Sequence, residues 1–207
     1  MRAVVFDLDG TLIHSGPDIA AALNRTLVAY SLAPLPWAEV QSMIGDGAKV
    51  LVEKGFAARG SVGGPEEVAA FLKDYNVNAV IETIPYPGIV ESLTKFRDEG
   101  RKMAVCTNKP AWVARHILET LGLAVFFSEI TGGDSTPYRK PDPRHLAATL
   151  AALDCAAAVM VGDHENDMAA AAGCGIPSIF AAWGYGHAQG DHTAQTAHDL
   201  PAIVAAL

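Results

Sequence analysis

Val4-Val5-Phe6-Asp7-Leu8-Asp9-Gly10-Thr11 is a short apolar run that ends in two carboxylates and a glycine. Such a run, bounded by a turn signal, reads as a buried strand of a parallel sheet. Strand periodicity is two, so Asp7 and Asp9 leave the strand on the same side. Two anions there repel each other unless a cation lies between them. In an open α/β sheet the carboxyl end of the strands is where ligands bind. The plain alternative is a pair of aspartates in a surface turn.

Outward from this strand the pattern changes twice. Gly10 to Gly16 reads as a turn, and Pro17-Asp18 opens a helix to about Tyr30, with Ile19, Leu23, Leu27 and Val28 as its apolar stripe. Asp18 is expected to cap it. Further helices are predicted over about 37–43, from Val50 to about Arg59, and over 66–79, separated by Pro34, Pro36, Gly45-Asp46-Gly47 and Gly60 to Pro65. Residues 16–83 thus read as an inserted helical module, too long for a simple crossover. From Pro85 onward strands and helices alternate. Strands are predicted at Lys102–Cys106, Phe127–Thr131, Ala157–Val161 and Pro177–Phe180, and helices at 89–99, 111–121, 143–153 and 166–172. A Gly-rich loop, 184–190, and a last helix close the chain. This order predicts an α/β fold: a doubly wound parallel sheet with a Rossmann-like core (1–15 and 84–207) and a small α-helical cap domain (16–83).

Composition sets outer limits. The 207 residues suffice for one large domain or a domain with an insert, and half are hydrophobic. A net charge of −8 argues against general nucleic-acid binding and against an anionic membrane surface. The opening run is too short and too acidic for a signal peptide, and no 18-residue apolar run exists. Cys106, Cys155 and Cys174 are an odd, scattered set, expected to be reduced thiols of a cytoplasmic protein.

The predicted strand ends carry the chemistry. The first offers Asp7 and Asp9, the second Thr107-Asn108, and another Asp163 with Glu165 and Asp167 beyond; Arg139-Lys140-Pro141-Asp142 supplies a cation on a loop. Clustered carboxylates raise one another's pKa unless a hard divalent cation binds, and oxygen ligands suit Mg²⁺. An aspartate can also attack phosphorus. Two unit charges at 4 Å repel by about 4 kcal/mol at an effective dielectric of 20, so that attack needs the cation and Lys140. A second aspartate can protonate the leaving oxygen. The residue types fit hydrolysis of a phosphate monoester.

Asp7-Leu8-Asp9-Gly10-Thr11, Thr107-Asn108-Lys109-Pro110, Arg139-Lys140-Pro141 and Val161-Gly162-Asp163-His164-Glu165-Asn166-Asp167 resemble, in order, the four motifs of the haloacid dehalogenase superfamily. The resemblance implies Asp7 as nucleophile and Asp9 as general acid/base. It implies Thr107 and Lys140 as phosphate ligands, with Gly10, Thr11 and Asn108 binding substrate. It implies Mg²⁺ on Asp7, Asp9 (through its main-chain carbonyl), Asp163 and Asp167, and a mobile helical cap. An acid at Asp9 makes carbon–halogen cleavage the wrong chemistry. Within the superfamily, Ile44-Gly45-Asp46-Gly47-Ala48, Gly132-Gly133-Asp134 and Gly184-Tyr185-Gly186 are similar to the phosphoglycolate phosphatases, which implies 2-phosphoglycolate as substrate. Phosphatases of other sugar phosphates or nucleotides share much of this pattern, a phosphomutase would use the same aspartyl-phosphate, and a non-enzymatic phosphate sensor is the bland reading. One departure is His14, where the pattern usually has an acid, at a place that could bear on the cap hinge or the pH response.

Two readings of Lys49 stay open: a cap lysine that reaches a substrate carboxylate, or a solvated lysine on an exposed helix face. His164 reads as a residue beside the site rather than a metal ligand, and Trp37, Trp112 and Trp183 as packing residues. The expected partner is a small phosphorylated substrate, with no nucleic acid and no membrane, acting on a monomer or homodimer.

Overall fold

The computed structural model describes all 207 residues. Six parallel strands form one sheet: β1 (Ala3–Phe6), β4 (Met103–Cys106), β5 (Glu129–Thr131), β6 (Ala158–Gly162), β7 (Ser178–Ala181) and β8 (His192–Ala194), in the order β5-β4-β1-β6-β7-β8. β1 is central, paired with β4 through Val4↔Met103 and with β6 through Ala3↔Ala158. The chain builds outward on one side through β4 and β5, then returns past β1 to build the other side. The strand order therefore reverses at β1, where such sheets bind ligands.

Alternate residues of the buried strands serve opposite faces. Val4 and Phe6 of β1, with Val105 and Val161, pack under α5 (Ile89–Asp98), α6 (Ala111–Thr120) and α9 (Leu200–Ala206), through Leu93, Phe96, Ile117 and Val204. Ala3 and Val5, with Ala104, Cys106 and Met160, pack under α7 (Pro143–Leu153) and α8 (Glu165–Gly173), through Leu146, Ala170 and Ala171. The first face takes the large side chains, and the second lets helices approach closely through alanine.

Four helices stand between β1 and β4: α1 (Gly16–Ala29), α2 (Trp37–Gln41), α3 (Ala48–Ala57) and α4 (Pro65–Asn78). A two-stranded antiparallel ribbon, β2 (Ile13–His14) with β3 (Ile84–Pro85), joins both ends of this insert to the sheet layer. These two-residue strands escape the sequence reading, as does β8, because pieces this short show no periodicity. β5 is shorter than expected: a 3₁₀ turn over Ala124–Phe126 precedes it. Asp18 does not cap α1. It is buried and accepts hydrogen bonds from the N–H groups of Ile81, Glu82 and Thr83 and from the Thr83 hydroxyl at 2.7–3.1 Å. It thus binds the start of the insert to its exit. No helix is long and apolar enough to cross a membrane.

Candidate active site

Asp7 follows β1 directly and is still in register with the sheet, its N–H on the Val161 carbonyl at 2.9 Å. The chain then turns at Gly10, which has φ +86°. A side chain there would be strained, and its Cβ would run into the Asp163 carboxylate. Asp163, delivered by the end of β6, accepts from the Thr11 hydroxyl at 3.0 Å and from the N–H groups of Tyr185 and Gly186 at 2.8 and 3.3 Å. Asp167 lies in the first turn of α8, where one oxygen accepts from the His164 N–H at 3.0 Å. His164 is the N-cap of that helix, its ring nitrogen accepting from Asn166.

Lys140 ties these carboxylates together. Its buried ammonium donates to Asp7 Oδ1 at 2.8 Å and to Asp167 Oδ1 at 2.6 Å. Asn108 fixes the loop that carries it: its side-chain amide exchanges hydrogen bonds with the Lys140 backbone, both at 2.9 Å, and also donates to the Gly45 carbonyl of the insert. Asn108 is therefore a brace as well as a cavity-lining residue. Thr107 lines the cavity too, buried, with its hydroxyl accepting from the Lys109 N–H. His145 supports it from behind, Nε2 lying 3.1 Å from the Thr107 carbonyl, and burial lowers the pKa of this imidazole.

One oxygen from each of Asp7, Asp163 and Asp167 lies within 4.8 Å of the others. Burial, with Asp7 and Asp167 beside it, pushes the Asp163 carboxyl up to about 7. Burial raises Asp7 to about 6, a rise that Lys140 opposes and Asp167 reinforces. Burial works against the Lys140 ammonium, but Asp167 and Asp7 more than offset it and hold its pKa above the usual lysine range. One ammonium facing three carboxylates leaves an excess of negative charge. An all-oxygen set with that excess fits a hard divalent cation such as Mg²⁺.

The Asp9 side chain turns away from this triad. It accepts from Ser15 Oγ at 2.5 Å, and both its oxygens lie 2.8 Å from Lys109 Nζ. Only the main-chain carbonyl of Asp9 is then left for the metal role expected of it. Lys109 is buried and also donates to the hydroxyl of Tyr75, on α4 of the insert, at 3.0 Å. Burial disfavours the Lys109 charge, yet Asp9 and Tyr75 outweigh it and raise the pKa.

Between sheet and insert lies a cavity lined by Asp7, Asp9, Thr107 and Lys109 on one side and by Ile44, Leu51, Phe71 and Tyr75 on the other. The space open to water centres is about 50 Å³. That is room for a few waters and suits a small ligand. Lys49 does not reach it. Its side chain is 64 % exposed and faces Glu53 at 3.7 Å, as a solvated lysine would. One further contact ties the insert to the sheet side: Asn166 donates to Asp46 at 2.9 Å, and Lys54, also of the insert, holds the other Asp46 oxygen at 2.8 Å.

The sequence reading misses two residues here, Ser15 and Tyr75, and places Lys109 in a motif without its partner. Only the folded structure aims Ser15 and Lys109 at Asp9. Tyr75 follows Phe71 by one helical turn and is indistinguishable in sequence from an apolar stripe. His14, on β2, lies between Tyr86 and Tyr185 with Nδ1 2.9 Å from the Tyr185 hydroxyl, so an aromatic cage occupies the ribbon that joins insert and sheet. Trp37, though 40 % exposed, packs edge-on against His14 and Tyr185 as expected, Trp112 is 45 % exposed, and Trp183 donates its indole N–H to the Thr11 carbonyl. Burial drives the Cys106 thiol up to about 11, which leaves no thiolate for nucleophilic chemistry.

Residues 1–175 match the sequence model described as haloacid dehalogenase-like hydrolase. A phosphoglycolate phosphatase of Cereibacter sphaeroides is 42 % identical over 205 residues, covering 97 % of this chain and 91 % of the relative. Another, from Caulobacter vibrioides, is 41 % identical over 188 residues, covering 88 % of this chain and 79 % of the relative. Among solved structures, a predicted phosphoglycolate phosphatase from Haemophilus somnus superposes with a TM-score of 0.91 at 28 % identity, over 99 % of this chain and 98 % of that one.

Proposed function

Because the chain belongs to the haloacid dehalogenase-like hydrolases, we propose that it is a Mg²⁺-dependent phosphatase that converts 2-phosphoglycolate to glycolate and phosphate. One observation supports this most. Asp7 faces the cavity with Oδ1 held by Lys140, while Oδ2 has no protein donor and is open to attack phosphorus. The substrate is suggested by the relatives' names and fits the small cavity.

In this reading Asp7 Oδ2 attacks phosphorus and the bond to the ester oxygen breaks, leaving an aspartyl-phosphate. Asp9, steered by Ser15 and Lys109, takes the proton of a monoprotonated phosphate ester and passes it to the departing glycolate oxygen. It then takes a proton from water, which attacks phosphorus and returns Asp7 as a carboxylate. Thr107 and Lys140 hold the phosphoryl oxygens. Mg²⁺, held by Asp7, the Asp9 carbonyl, Asp163 and Asp167, supplies the charge that lets one anion approach another. Residues 16–83 form the cap that shields the site from bulk water.

Phosphate release from 2-phosphoglycolate, against a panel of sugar phosphates and nucleotides and with or without Mg²⁺, tests this directly. We expect a clear preference for 2-phosphoglycolate, dependence on Mg²⁺, and a loss of roughly 10⁴-fold or more in kcat for Asp7→Asn. A preference for another ester would refute the substrate, and an active Asp7→Asn the mechanism.

A further inference from the structure

Of the insert residues that line the cavity, Tyr75 alone carries a polar side chain, and Lys109 is the only cation in the lining. The two are hydrogen-bonded to each other at 3.0 Å. The donors can be counted. An ammonium has three N–H groups, and here two go to the oxygens of Asp9 and one to Tyr75. The Tyr75 oxygen is thus an acceptor, and its own hydrogen has no acceptor on the protein. Such a hydroxyl, polarised by an ammonium, is a strengthened donor.

The ring is held in place. It stacks on Phe71 with centroids 5.6 Å apart and planes 9° apart, and Lys109 Nζ lies 4.7 Å from its centroid. Tyr75 is 2 % exposed, and burial pushes its phenol up to about 12, so it keeps its proton at neutral pH. The rest of the insert wall is apolar, and Lys49 points to solvent. The N-terminus of α3, which has no side-chain cap, borders the same cavity and adds partial positive charge.

We propose that Tyr75, oriented by Lys109, is the specificity-determining residue that recognises a carboxylate on the leaving group. This rests on the phosphatase reading and adds the class of ester selected. Distance sets the length of that group. The Tyr75 hydroxyl and the Asp9 carboxylate are both hydrogen-bonded to the same nitrogen, at 3.0 and 2.8 Å. A leaving group that takes a proton from Asp9 and a hydrogen bond from Tyr75 therefore spans only two or three carbons. A carboxylate is the acceptor that gains most from a polarised donor inside an apolar wall.

Tyr75→Phe keeps the stacked ring and removes only the donor. With Mg²⁺ present, kcat/KM is measured for 2-phosphoglycolate and for ethyl phosphate, which has the same length and no carboxylate. Inhibition by 3-phosphonopropionate and by propylphosphonate is measured in parallel. The variant should lose roughly 10- to 100-fold on the carboxylated member of each pair, chiefly through KM and Ki, and at least tenfold less on its partner. Equal losses within both pairs, or none, overturn the proposal. The two readings fail separately. If the native enzyme prefers another ester while Tyr75→Phe still weakens 3-phosphonopropionate selectively, the assigned substrate is wrong and the carboxylate subsite stands. If the native enzyme prefers 2-phosphoglycolate and the variant loses equally on both members, the substrate stands and Tyr75 is not its selector.

Discussion

The sheet side and the insert side of the cavity are built differently. On the sheet side every charged group is held by at least one short hydrogen bond: Asp7 and Asp167 by Lys140, Asp163 by Thr11 and two backbone N–H groups, and Asp9 by Ser15 and Lys109. Those groups project from the ends of adjoining strands, whose register is fixed by the sheet. The insert side is a wall of Ile44, Leu51, Phe71 and their neighbours with one hydroxyl in it. A reaction that must stabilise changing charge needs the first kind of surface, because preorganised charge costs no reorganisation as the reaction proceeds. Choosing among small leaving groups needs only the second, since one donor in an apolar wall discriminates by what it would leave unpaired.

Lys109 is where the two sides meet, and changing it gives the largest effect that separates them. Lys109→Gln removes the cation that holds both oxygens of Asp9. We expect kcat to fall roughly 10- to 100-fold for carboxylated and uncarboxylated esters alike, as loss of a charged hydrogen bond to the proton-transfer group requires. Tyr75→Phe should act unequally on the same pairs. If Lys109→Gln changed only KM for the carboxylated ester, Lys109 would belong to the selecting side alone.

The sheet side alone should also respond to pH and metal. Asp163 and Asp7 are raised to about 7 and about 6, while their ordinary value is 3.8. Between about pH 4 and 7 these two carboxyls therefore bind more protons in the folded protein than in the unfolded chain, and their contribution to stability falls as pH rises through that window. Metal-free protein should show a Tm that declines from pH 5 to 7.5. Mg²⁺ at about a hundredfold over its Kd should raise Tm by roughly 5–10 °C at pH 7.5 and by less at pH 5. A Mg²⁺ effect as large at pH 5 as at pH 7.5 would mean that the carboxylate triad does not hold the ion.

The same contrast explains what could be read in the sequence. The sheet was legible because buried strands are apolar runs that stop at functional residues, and Asp7, Asp163 and Lys140 stand at or just beyond those stops. The helices of the insert were legible too, to within a residue or two, from their proline and glycine boundaries. What could not be read were contacts between distant segments. Asp18 looks like a cap beside Pro17, yet it binds the backbone some 65 positions on. The Ser15–Asp9–Lys109–Tyr75 chain joins three segments far apart in sequence, and no local spacing encodes it. β2, β3 and β8 are two or three residues long and owe their existence to a neighbouring strand rather than to any pattern of their own.

Lys49 is the smallest expected effect and the closest test of where selection resides. Read from sequence, it is a cation beside a glycine loop of the insert, well placed to meet a substrate carboxylate. In the structure it lies one position past the cavity-lining Ala48, and the helical turn carries its side chain outward, 64 % exposed, toward Glu53 at 3.7 Å. An exposed pair of that kind contributes about 0.5 kcal/mol or less. Lys49→Ala should therefore leave KM for 2-phosphoglycolate within about twofold and shift Tm only slightly. A tenfold rise in KM confined to the carboxylated ester would show that α3 turns when substrate binds and brings Lys49 inward. Selection would then rest on a moving cation rather than on the fixed hydroxyl of Tyr75, and the insert side would share the charged character of the sheet side.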